Sequence, residues 1–175
     1  MATCNLTRGF EAYDCIAPNG GIDQVYFLPF KSYVSTTVAD YLVSAIDDGG
    51  ATWMGYKLLE EVGLLESNEV KNVQNNSRFY DVNLSFTIEN LESSKHKEFD
   101  LMARQQMVAI VKTVENTYFL VGDERGAHKT GTNTSSTGTA FGDGQKYTVG
   151  FLAKQTHDFY QIDPTVINGL TISFT

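Results

Sequence analysis

Cysteine is nearly missing. The 175 residues hold two, Cys4 and Cys15, in neither a CxxC pair nor a dense framework. That excludes a fold stapled by several disulfides, and two free buried thiols of a reducing compartment are expected, with a single Cys4–Cys15 disulfide as the alternative. Proline is as scarce, at 3 against 15 glycines, so the chain has many places to turn and few rigid breaks. Positive charge is in deficit, with 13 Lys and Arg against 21 Asp and Glu for a formal charge of -8. A surface of that sign repels phosphate and excludes tight, sequence-reading attachment to nucleic acid, though not DNA that passes without sticking. No apolar run reaches the length of a membrane span, so no membrane partner is expected. The opening MATCNLTRGF lacks the basic-then-apolar order of a secretory leader, and none is expected.

Catalytic and ligand-binding signatures are also wanting. His96, His128 and His157 fall in three separate segments without i, i+4 pairing, and read as solvated side chains rather than metal ligands. Asp47-Asp48 and Glu60-Glu61 lack calcium-loop spacing and read as exposed turn and arm residues. There is no GxSxG elbow. The glycine-rich stretch contains Lys129-Thr130 but not GxxxxGK[ST], and Asp123, Glu124 and Asp143 flank it with the wrong charge for phosphate. The sequon-like triplets at Asn5, Asn75, Asn83 and Asn133 are chance matches without a secretory leader. The residues therefore assign no catalytic, cofactor-binding or metal site, and no enzyme is expected.

What is present is β character, led by 9 Tyr and 11 Phe. The central stretch is 93–123. Phe99, Met102, Ala103 and Gln106 share one face of a short helix for which Ser93 or Ser94 is the candidate N-cap. The β-branched run 108–114, a turn at 115–117 and Tyr118-Phe119-Leu120-Val121 then form a hairpin. Before it, 1–20 reads as an irregular N-terminal arm and 22–28 as a strand closed by Pro29. A helical stripe of Val34, Val38, Tyr41, Leu42 and Ala45 competes with β-branched composition over 31–48, where extended or loop structure is expected. A turn at 47–50 leads to a strand at 53–59, and polar 60–76 reads as a projecting β-arm turning back at 75–77. The clearest alternation is 78–88, with Tyr80, Val82, Leu84, Phe86 and Ile88 on one face. Residues 122–144 read as a flexible Gly/Ser/Thr-rich loop; 146–154, 158–162 and 170–174 read as closing strands. Phe86, Ile110, Phe119 and Phe151 are expected in the core of one β-rich domain over 1–175.

Three quoted stretches resemble a known family. They are Asp14-Cys15 with Gly20-Gly21-Ile22-Asp23-Gln24-Val25-Tyr26, the strand–helix–strand-pair order over 79–122, and Gly138-Thr139-Ala140-Phe141-Gly142-Asp143 followed by Gln145-Lys146-Tyr147-Thr148-Val149. Together they resemble small tail tube and tail ring-type virion structural proteins of tailed phages infecting Bacteroidota, the crAss-like phages among them. The stretch 31–53 matches nothing in that pattern. The resemblance implies an antiparallel β-sandwich with one flanking short α-helix and long projecting loops. It also implies rings of identical copies around a DNA channel, with neighbouring tail or connector proteins as partners. Its place would be the virion tail, assembled in the host bacterial cytoplasm, with no cofactor. An accessory virion protein, such as a capsid decoration or head-fibre base, is the alternative; a tail-associated enzyme is a third.

Overall fold

Burial on both faces marks two strands as the centre of the molecule. In the computed structural model, which describes residues 19–131 and 133–174, strand β1 (Ile22–Pro29) lies antiparallel to β7 (Met107–Thr113). Side chains alternate along a strand, so Val25, Phe27, Ala109 and Val111 enter one apolar cluster while Tyr26, Leu28, Val108 and Ile110 enter a second. That double burial is why 107–111 reads as an unbroken apolar run.

Around this pair the chain adds β2 (Ser35–Ala39), β3 (Leu42–Asp47), β4 (Thr52–Lys57), β5 (Gly63–Asn72) and β6 (Ser77–Glu89). After helix α1 (Ser93–Ala103) and β7 come β8 (Tyr118–Val121), β9 (Ala127–Lys129), β10 (Thr134–Ser136) and β11 (Lys146–Gln155). The last elements are β12 (Tyr160–Ile162), α2 (Pro164–Ile167) and β13 (Thr171–Ser173). They join into one 13-stranded mixed sheet whose main path is β2-β3-β12-β8-β7-β9-β11-β6-β5, with β4 and β13 branching from β1 and β10 pairing β11.

The sheet folds over at β9. Ala127 pairs with Met107 of β7 and with Ala153 of β11, so this short strand links the two portions. Phe27 on β1 has no ladder contact with β11 or β6. Its ring nevertheless lies 4.8 Å from that of Phe151 and 5.9 Å from that of Phe86. One portion of the sheet therefore faces the other across the first cluster, and α1 adds Phe99 and Met102 to it. The second cluster gathers Val43, Trp53, Leu120, Ile162 and Ile167 on the opposite face of β1 and β7. Trp53 keeps its indole N–H satisfied there by donating to Asp48 Oδ2 at 2.9 Å.

The mainly β architecture with α1 at its flank agrees with the sequence reading, as do the buried Phe86, Ile110 and Phe151. Several details differ. Pairing is not wholly antiparallel, since β12 runs parallel to β3 and β13 to β4. A second short helix, α2, is capped by Asp163, which accepts from Thr165 N at 2.9 Å. After a single 3-10 turn at Phe30–Ser32, the rest of 31–48 is built on extended chain: β2 and β3 form a hairpin whose two turn residues, Asp40 and Tyr41, both have positive φ, the geometry that matches strand twist.

Ala103, the last residue of α1, is exposed and Gln106 lies beyond the helix, so neither joins its buried face; its N-cap position is Glu92, with no side-chain capping bond. Phe119 is half-buried because β8 lies toward the rim of the first cluster, where Phe159 covers it edge-on at 4.9 Å. The largest difference concerns 122–144. The stretch is structured by β9 and β10, whose strands of three residues are too short to show a period. The arm read over 1–20, with Cys4 and Cys15, lies outside the described residues except for Asn19 and Gly20.

Candidate assembly surfaces

The alternation that sends Val82, Leu84 and Phe86 inward from β6 sends Asp81, Asn83, Ser85 and Thr87 outward. Strand β11 adds Lys146, Thr148 and Lys154 to the same outer wall, and β5 adds Glu66 and Asn68. Register decides its electrostatics. Lys154 lies opposite Asp81 with Nζ 2.8 Å from Oδ1, and Lys146 lies opposite Glu89. Glu66 lies opposite the neutral Asn83. Each lysine on the wall thus has an acid in register, and Glu66 remains uncompensated. The result is a polar, net acidic surface on which Leu64 and Val70 are the exposed apolar side chains of β5.

Two unlike edges bound the main path of the sheet. Edge β5 carries Glu66, Glu69 and Lys71, charges of the kind that discourage strand addition, whereas edge β2 is Ser-Thr-Thr-Val-Ala and carries none. The β5–β6 hairpin also outruns its neighbour. The β11 ladder stops at Tyr80, while β5 and β6 stay paired to Asn72 and Ser77. Beyond that point the turn at 73–76 presents Val73, 83 % exposed.

At the opposite end of β6 stands the loop 137–145. Asp143 Oδ2 accepts from Thr139 N and Ala140 N, both at 2.8 Å, and from Thr139 Oγ1 at 3.2 Å, holding a tight turn that leaves Phe141 wholly outside the protein at 110 % exposure. These backbone and hydroxyl donors hold the Asp143 carboxyl below its ordinary range. The thirteen residues of β6 separate the two tips by about 40 Å at roughly 3.3 Å per residue.

The three histidines do not converge. His96 lies in α1, edge-on to Tyr147; His128 lies in β9, 3.2 Å from the Gln106 amide. Among the described residues no three His, Cys, Asp or Glu side chains are arranged to hold a metal ion. His157 departs from the solvated reading. Its ring stacks on Tyr160 at 3.9 Å, and Nε2 lies 3.4 Å from Asp123 Oδ1 and 3.8 Å from Glu124 Oε1. Glu124 in turn accepts from Thr156 N at 2.8 Å and from the Thr156 hydroxyl. The cluster fastens the end of β8 to the turn after β11. Its partners are far apart in the chain, so spacing alone cannot reveal it.

Burial opposes charge on His157, but the Asp123 carboxylate, the Asp158 carbonyl and Glu124 outweigh it and raise its pKa. A base whose folded pKa exceeds its unfolded value, about 6.5, lends stability that is complete below that pH and drains away as pH rises through the folded pKa. The melting temperature should therefore decline from about pH 6.5 upward, and His157→Gln should flatten that part of the profile. An unchanged slope in the variant would refute the assignment.

The remaining candidate residues have local duties. Asp47 and Asp48 accept from Gly49 N at 3.1 Å and Gly50 N at 2.9 Å, closing the turn before β4. Glu61 occupies a positive-φ turn position. Asn133 bridges the break between β9 and β10: its Oδ1 accepts from Gly150 N at 2.8 Å and its amide donates to Thr130 O. No protein family, curated protein or solved structure matches the chain.

Proposed function

We propose that the chain is a structural subunit of a phage tail, closing with copies of itself into rings of the tail tube or of the head–tail connection, with DNA passing through the lumen. The observation that carries this reading is the β5–β6–β11 wall. DNA slides past a surface when its phosphates find no free cation from which counterions would have to be exchanged. Each lysine of this wall stands in register with an acid, and Glu66 supplies net repulsion. Edges β2 and β5 differ, which suits head-to-tail contacts of the kind that close a ring. The quoted resemblance at 20–26, 79–122 and 138–149 points the same way. The hairpin tip and the Phe141 loop, at opposite ends of β6, would meet neighbouring tail or connector proteins.

The test is charge reversal on the wall. Parent rings should retain no duplex DNA at physiological salt, whereas Glu66→Lys/Glu89→Lys rings should retain it, with an affinity that falls steeply as salt is raised. If the double variant retains no more DNA than the parent, the wall does not face the lumen. Particles without a ring in electron micrographs, or with a lumen too narrow for a duplex, would overturn the conduit reading and favour a capsid decoration protein.

A further inference from the structure

Two Asn-Gly steps occur in the chain, Asn19-Gly20 and Asn168-Gly169, and the fold treats them differently. An asparagine followed by glycine is prone to cyclise, because the glycine amide reaches the side-chain amide carbon with no Cβ to obstruct it. Asn168-Gly169 is closed to that reaction. Asn168 is the C-cap of α2 with helical φ -66 and ψ -19, and Gly169 N donates to Val166 O at 3.1 Å. Leu170 N is bound in turn to Ile167 O at 3.2 Å. Ring closure requires that the helical geometry and the Gly169 bond both be given up.

Asn19-Gly20 lacks these restraints. Both residues are exposed and lie just ahead of β1, outside any regular element. The Gly20 amide donates to no acceptor among the described residues, and a methyl group on Gly20 would meet nothing within 4 Å, so there is room for the ring. The neighbouring backbone is nevertheless held against the β7–β8 turn. Asn19 N donates to Glu115 Oε1 at 3.1 Å, and Gly21 O accepts from Val114 N at 3.3 Å.

We propose that Asn19, and not Asn168, is a site of spontaneous deamidation, selected by the fold. The Gly20 nitrogen, having lost its proton to base, bonds to the Asn19 side-chain carbon. The carbon–nitrogen bond of the side-chain amide breaks, and the nitrogen takes up a proton and leaves as ammonia. Water then opens the five-membered imide at either carbonyl, giving aspartate or isoaspartate; the net change is one water consumed and one ammonia released. Either product puts a carboxylate on the residue tied to the Glu115 carboxylate, and isoaspartate also adds a methylene to the main chain there. The modification thus bears on the tie between the entry to β1 and the β7–β8 turn. It does not depend on the assembly reading above.

Peptide mapping by mass spectrometry, after incubation of the folded full-length chain at mildly alkaline pH, tests it. The Asn19 peptide should show the amide-to-acid mass shift and split into aspartate and isoaspartate forms. The Asn168 peptide should convert at least about fivefold more slowly, the factor that one ordinary hydrogen bond is worth. In urea the two rates should converge, since neither dipeptide then has a fold around it. Gly20→Ala, for which there is open space, should slow conversion at Asn19 and leave the melting temperature unchanged. An Asn19 that survives in the folded chain as long as Asn168 would overturn the proposal, and so would a difference between the two sites that persists in urea.

Discussion

Replacing Phe86 with alanine should leave little folded protein at growth temperature. The ring is 1 % exposed, lies 6.3 Å from that of Phe151 in a stacked arrangement and 5.9 Å from that of Phe27. It therefore joins the two facing portions of the sheet at their centre. Truncating such a side chain costs about 3–5 kcal/mol once the lost transfer energy and the cavity are combined. Domains have only about 5–15 kcal/mol in total. For a chain of this size the melting temperature should fall by about 6–20 °C. Phe119→Ala provides the contrast. That ring is half-buried at the rim against Phe159, and its removal should cost less than half as much. Equal losses in urea titrations of the two variants would show that the first cluster is not the centre of the fold.

Gly122→Val should come close to Phe86→Ala in severity, for a different reason. Gly122 turns the chain from β8 toward β9 at φ 82, where an L side chain is strained, and a Cβ there would lie 2.8 Å from Ala127 N and 3.0 Å from Met107 O. Both neighbours are backbone atoms of the strands that join the two portions, so neither can move aside without breaking the Met107–Ala127 pair. Strain and overpacking together should cost about 3 kcal/mol or more. Hydrogen exchange at the Ala127 amide should accelerate before exchange in β6 and β11 does. Gly142→Ala is the control, since nothing lies within 4 Å of its added methyl group. A Gly122→Val variant as stable as Gly142→Ala would mean that β9 is not the joint.

Long strands with one wet face are legible in the sequence. The alternation of 78–88 and 146–154 places Val82, Leu84, Tyr147 and Val149 on their observed buried sides, because a strand of nine or more residues repeats its period several times. The polar wall was legible by the same rule, as the other half of each alternation. Three-residue strands such as β9 and β10 were not, since they contain barely one period and are defined by their partners. Parallel pairing of β3 with β12 and of β4 with β13 is invisible for the same reason. The His157 cluster brings together two separate segments, 123–124 and 156–160. Composition indicates an acidic protein but cannot say that Asp123 faces a histidine.

The register also governs the order in which the protein comes into being. Ile22 pairs with Thr113, and Thr52 waits for Thr171, the start of the last strand in the sequence. β1 and β4 can pair early, Gln24 opposite Lys57, but the β7 partner of β1 and the β13 partner of β4 come much later, and contacts this distant in sequence are slow to close. Until residues 164–173 arrive, β4 has an open edge and the second cluster lacks Ile167, which leaves Trp53 under-covered. The fold therefore closes late, once residues 171–173 are available, and until then the chain passes through a stage in which it is most open to the wrong partner. Residues 164–173 thus decide whether each copy closes its second cluster or leaves the edge of β4 open to aggregation.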